Sequence, residues 1–120
     1  MIVFEAENIR DWRLHDVVDE DGKKIGKLEA VYVDTRTDEP MFGSVVERAG
    51  VRKQLTFVPL AGAVVGPRYV KVRYPKKVVR DAPSIGTDDE LVAEQEPKLF
   101  EHYGLDYSTG SDGARRLARR

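Results

Sequence analysis

A glycine-marked turn running straight into an apolar segment constrains this chain more than any other feature: Asp19-Glu20-Asp21-Gly22-Lys23-Lys24-Ile25-Gly26-Lys27-Leu28, continuing through Val31-Tyr32-Val33-Asp34. Asp21-Gly22 is a strong two-residue hairpin signal, because a tight turn needs backbone angles that Asp and Gly tolerate. Gly26, just inside the second strand, marks a bulge or a close approach of two backbones. Together these residues predict a small, strongly bent antiparallel sheet.

The rest of the first 75 residues extends that pattern. Asp16 to Asp19 reads as a first strand and Ile25 to Asp34 as a second. A third runs from about Met41 to Glu47 and a fourth from Val51 to Val58, with Ala49-Gly50 as the turn between them. Leu55 and Phe57 alternate with Gln54 and Thr56, and Pro59, lacking an N–H, closes that strand. In a fifth, Val70, Val72 and Tyr74 alternate with Lys71 and Arg73 before Pro75. A period of two with one apolar face places that face on a core and the other in water. Parallel pairs need long crossovers, for which there is no room before residue 75, so the sheet is expected to be antiparallel. Closing five or six short strands into a small barrel would remove the exposed edges; a sandwich is the alternative.

The flanks differ. Asn8 to Leu14 reads as a short helical turn capped by Asn8. After residue 80, Ser84-Ile85-Gly86 reads as a loop and Thr87-Asp88-Asp89-Glu90 as a capping box opening a helix. Leu91, Gln95, Leu99 and Tyr103 fall at helical spacing, Pro97 divides them into two short helices, and Gly104 is a C-terminal stop. Ser-Thr-Gly-Ser-Asp-Gly beyond Asp106 reads as a flexible linker. The expected organisation is thus a β-barrel over 1–80, a helical appendage packed on it over 81–105, and a flexible basic tail over 106–120.

Composition narrows the chemistry. At 120 residues the chain is one domain with a single modest core. The absence of cysteine excludes disulfides, a thiol nucleophile and any Cys-ligated metal. The apolar start Met1-Ile2-Val3-Phe4 is too short for a signal peptide, and no later run approaches the roughly 20 residues of a membrane helix, so a cytoplasmic location without a membrane span is expected. Lys and Arg (20) balance Asp and Glu (21), so no global field favours nucleic acid. The charges are nevertheless segregated: Asp88 to Glu96 holds five acids and no base, whereas Arg115, Arg116, Arg119 and Arg120 crowd the end.

No catalytic, cofactor or metal site is expected. His15 and His102 are the only histidines, and no Ser or Thr elbow stands near either. Asp16, Asp19, Glu20 and Asp21 lack the alternating oxygens of a calcium loop and are cut short by Lys23-Lys24. Gly62 to Pro67 has no phosphate-binding lysine, and Pro67 forbids the helix that would present N–H groups. The candidate residues are instead contact residues. Trp12 is either core or an interface anchor, Phe42 is open to either face, and Tyr107 joins them as an aromatic of the kind enriched at interface hot spots. Arg115, Arg116, Arg119 and Arg120 have three readings: a solvated tail, a grip on an acidic surface such as Asp88–Glu96 of this or a second copy, or weak phosphate contacts with RNA. No aromatic lies within that arginine run, which argues against sequence-specific reading of RNA.

The run Val17 to Leu28 through Val33-Asp34, the segment Thr56-Phe57-Val58-Pro59-Leu60 followed by Val70-Lys71-Val72, and Ala82-Pro83 with Leu91 to Glu96 and Leu99 to Leu105 together resemble the PRC-barrel family. The likeness covers roughly residues 8 to 105. It implies a small β-barrel serving as an interaction module, often self-associating; members occur at photosynthetic reaction centres, in a ribosome maturation factor that helps process 16S ribosomal RNA, and among cell-division partners. The chain lacks the maturation factor's preceding RNA-associated domain and the reaction-centre subunit's membrane helix, so neither role transfers. The expectation is a mainly β, non-enzymatic interaction module, homodimeric if the helices leave apolar surface uncovered, with a ribosome- or RNA-associated factor as the alternative.

Overall fold

The chain turns next to the expected Asp21-Gly22 pair, over Glu20 and Asp21 with Gly22 closing the turn, rather than through a two-residue Asp21-Gly22 loop. Gly22 takes a left-handed backbone (φ 82°) and donates its N–H to the Asp19 carbonyl at 2.9 Å. The computed structural model describes residues 2–3 and 12–120; of the expected Asn8-capped turn, residues 8–11 lie outside the described residues. Among the described residues nine strands form one sheet: β1 (Ile2–Val3), β2 (Asp16–Val18), β3 (Lys24–Asp34), β4 (Pro40–Ala49), β5 (Arg52–Pro59), β6 (Val64–Val65), β7 (Tyr69–Lys71), β8 (Ser84–Gly86) and β9 (Leu117–Arg119). The short helices α1 (Lys76–Arg80) and α2 (Glu96–His102) pack with them, α2 following directly on a 3-10 turn at Ala93–Gln95.

The strand order is β1-β6-β7-β2-β3-β4-β5-β8, with β9 added alongside β3. Among the described residues no pairing joins β1 to β8, so the sheet curls without closing. Its curl is evident from the inner cluster, where Val65, Val70, Val17, Leu28, Val45, Val58 and Val79 of α1 meet. One expectation is corrected: β2 and β7 are parallel, Val17 opposite Val70. A helical crossover is unnecessary here because the intervening strands β3 to β6 themselves carry the chain back. The bulge expected at Gly26 is present, since Val17 faces Gly26 while Val18 faces Lys24.

Both faces of the sheet are covered. A second bulge between Leu28 and Ala30 shifts the alternation, so that Leu28, Val31 and Val33 point inward while Ala30 and Tyr32 join Phe42 and Phe57 outside. That outer face is roofed by Leu91, Leu99, Phe100, Tyr103 and Leu117, with Phe42 and Phe100 ring centroids 5.3 Å apart. Thr56, expected to face water, is therefore fully buried.

Two further expectations fail downstream. Residues 84–86 pair with β5 instead of looping, and the capping box does not form: Asp89 accepts the Gly86 N–H at 3.0 Å, a local turn that competes with helix initiation. The helix starts beside Pro97, as the proline implies, and ends at Gly104 (φ 69°). The flexible basic tail expected over 106–120 is likewise corrected. Leu117 to Arg119 pairs antiparallel with Tyr32 to Asp34, and Leu117 is buried in the outer core.

Asp19 holds the first hairpin to α1. One carboxylate oxygen accepts the N–H groups of Asp21 and Lys23 at 2.9 Å, and the other accepts that of Lys76 at 3.1 Å. Burial alone would raise its pKa, but the N–H donors of Lys23, Lys76 and Asp21 outweigh it and hold the carboxyl below 3.8. A lowered folded pKa means the contribution is present above about pH 4 and lost as pH falls through the folded value. Asp19→Asn is expected to cost about 2 kcal/mol near pH 7 and to lessen the loss of stability below about pH 4, measured by urea titration at several pH values.

Candidate interaction surface

The bulge at Gly26 draws β3 so close to β4 that a Cβ there would lie 2.1 Å from the Val46 carbonyl oxygen. This pinch forms the floor of an open groove of about 570 Å³ between the start of β3, the β4–β5 hairpin and α1. Ile25, Gly26, Val46 and Glu47 line the floor, while Lys24, Lys27, Arg48, Lys53, Lys76 and Arg80 stand around it. Leu14 lines one end, 73% exposed and in a left-handed backbone (φ 68°).

Asp16 engages two of the cations, lying 3.1 Å from Lys27 and 3.3 Å from Lys24, and these two hold its carboxyl below the ordinary range. Among the described residues, Arg48, Lys53, Lys76 and Arg80 have no carboxylate within 4.0 Å. Arg48 and Lys53 sit directly opposite one another across β4 and β5, a like-charge pair that destabilises a hairpin unless an anion lies between them. Glu47, 5% exposed, keeps Oε2 without a hydrogen-bond partner among the described residues.

A second depression of about 570 Å³ adjoins the first, formed by Arg52, Lys53 and Gln54 against Ser84 to Asp89. Lys53 lines both. Beyond it runs an exposed acidic segment, Asp88, Asp89, Glu90 and Glu94, in which Val92 is extended (φ −94°, ψ 155°) and 45% exposed.

The structure places the sequence candidates elsewhere. Trp12 and Phe42 are core residues of the inner and outer clusters, so neither offers an exposed anchor. Tyr107 is half-buried; its hydroxyl donates to Glu96 at 2.7 Å, and burial together with that carboxylate pushes its pKa up to about 12. Arg116 is buried against Asp34 at 3.0 Å, Arg119 pairs with Glu29, Arg120 with Asp38, and Arg115 donates to the Leu91 carbonyl. The basic end is thus held against the fold, each guanidinium having an oxygen acceptor in the sheet, in the β3–β4 turn or at Leu91.

His102 lies with Nε2 2.7 Å from the Val78 carbonyl oxygen. Both oxygens of Asp19 are committed to backbone N–H groups. Among the described residues no three His, Asp or Glu side chains converge as a metal site, and no helix is long and apolar enough to cross a membrane. The groove cations escaped the sequence reading because a turn at Ala49-Gly50 sets Arg48 against Val51. The turn is instead at Gly50-Val51, so that Ala49 faces Arg52 and Arg48 faces Lys53.

Comparison with known families matches the PRC-barrel domain to residues 4–79. No curated protein matches the sequence.

Proposed function

The chain belongs to the PRC-barrel domain family, and from that premise we propose that it is a non-enzymatic protein-interaction module of the cytoplasm, an adaptor whose docking site is the basic groove. The observation that carries this reading is the concentration of Arg48, Lys53, Lys76 and Arg80, without ionic partners among the described residues, around a floor of Ile25, Gly26, Val46 and Glu47. A neutral chain that clusters cations at one place favours an anionic occupant there. The groove lining contains no Ser, Thr or His, the side chains of a hydroxyl nucleophile and its imidazole base.

An RNA-associated role has less support. Three of the four terminal arginines are already paired with carboxylates, and the groove offers no aromatic platform on which a base could stack. Exposed Leu14 suits a polypeptide better than a phosphate backbone.

Fluorescence anisotropy with a labelled oligoglutamate peptide tests the proposal. Binding is expected to weaken steeply between 50 mM and 500 mM salt and to fall at least about tenfold in R48E/K53E/R80E, three exposed positions. An RNA oligomer of equal length that binds more tightly would favour the nucleic-acid reading. Unchanged peptide binding by the triple variant would remove the groove from consideration.

A further inference from the structure

We propose that the β3 edge filled by β9 is a recognition site for an extended, Arg-Leu-bearing segment of a partner protein, and that β9 occupies it as a tethered competitor. The site is separate from the basic groove and adds a second contact surface to the module. β9 stands off the main strand path and pairs with β3 alone, so withdrawing it breaks no other pairing of the sheet.

The site is built to hold an extended chain. The Val31 carbonyl oxygen accepts the Arg120 N–H at 2.9 Å, and the Thr35 N–H donates to the Arg116 carbonyl oxygen at 2.8 Å. Beside this edge Glu96 of α2, 0% exposed, accepts the successive N–H groups of Arg116 and Leu117, both at 2.9 Å. Main-chain contacts of this kind grip any strand, and side-chain seats select which one. There are two such seats. Leu117 fills an apolar one in the outer cluster, and the Arg116 guanidinium lies 3.0 Å from Asp34 and 5.8 Å from the centre of the Phe100 ring. A partner strand reading Arg-Leu meets the same acceptors.

Two features make β9 a replaceable occupant. Arg116 is buried, yet its Nε has no hydrogen-bond partner among the described residues, so the native fit is incomplete. Residues 105–114 ahead of it hold no regular structure beyond a 3-10 turn at Ser111–Gly113, where Asp112 is left-handed (φ 56°). A tether like this presents its strand at an effective concentration on the order of millimolar, which shields the site from micromolar partners until the tethered strand is weakened.

Fluorescence anisotropy on the full chain, with a labelled peptide of residues 114–120 (Ala-Arg-Arg-Leu-Ala-Arg-Arg), tests this. R116A/L117A weakens the tethered strand and leaves Asp34, Glu96 and the β3 edge intact. It is expected to bind the peptide at least about tenfold more tightly than the wild type, with a smaller gain in R116A alone. Adding E96Q to R116A/L117A should then lower the affinity about fivefold or more, because Glu96 receives two peptide N–H groups. Circular dichroism checks folding; if R116A/L117A does not fold, R116A against the wild type decides. A folded variant that binds no better than the wild type would overturn the proposal. So would equal binding of a peptide with the same composition in scrambled order, since charge alone would then explain the contact. Either result leaves the groove reading standing, because its probe is oligoglutamate.

Discussion

Replacing Glu96 with alanine is expected to cost about 3–5 kcal/mol, the range for removing one partner of a buried, charge-assisted network. Glu96 is 0% exposed, yet it is fully used. Oε1 accepts the Tyr107 hydroxyl at 2.7 Å and the Arg116 N–H at 2.9 Å, and Oε2 accepts the Leu117 N–H at 2.9 Å. Alanine would leave all three donors without this partner, two of them the buried N–H groups of Arg116 and Leu117. The same loss would loosen β9, whose Leu117 seals the outer core beside Phe100. Glu96→Gln retains one strong acceptor and is expected to lose roughly half as much. Urea denaturation gives the stability change, and hydrogen exchange at the Arg116 and Leu117 amides shows whether the strand has detached. A cost below about 1 kcal/mol would mean that the carboxylate is not what clasps the C-terminal strand.

Gly26→Ala is expected to be comparably damaging for a different reason. The added Cβ would lie 2.1 Å from the Val46 carbonyl oxygen and 2.8 Å from Val45 Cγ1, so the backbones of β3 and β4 would have to separate. Overpacking against a rigid backbone costs about 3 kcal/mol or more. Gly22→Ala is the control. There the space is open and only the left-handed backbone (φ 82°) resists, a penalty of about 1–2 kcal/mol. Thermal denaturation of the two variants should rank them clearly. Gly26→Ala should also weaken peptide binding in the groove, because it spreads the floor between Ile25 and Val46.

The residues that could be read correctly share a property. Asp21-Gly22, Gly26, Pro97 and Gly104 each impose a backbone requirement within a few residues of themselves. Val70 and Val72 alternate with polar neighbours, so their inward side follows from spacing alone. Misreadings occur where an interaction from far along the chain takes over. Ser84 to Gly86 carries loop-like composition, but Gln54 to Thr56 offers it a free sheet edge. Arg116 looks like part of a solvated tail until Asp34 is placed 3.0 Å away. For Trp12 and Phe42, which the sequence leaves open between core and contact surface, the inner and outer clusters decide for the core.

By itself the sequence determined that this is a mainly β chain of short strands, bent at Gly26, with a helix entering at Pro97 and leaving at Gly104, because turns, bulges and helix ends are fixed by local backbone sterics. Only the tertiary structure decided that no pairing among the described residues closes the sheet, that residues 91–117 roof its outer face, and that Glu96 and Arg116 are buried clasps rather than surface charges. It also gathered Lys24, Arg48, Lys53 and Arg80 from separate elements around one groove. Such groupings depend on which distant segments share a face of the fold, and no periodicity within a single strand encodes that.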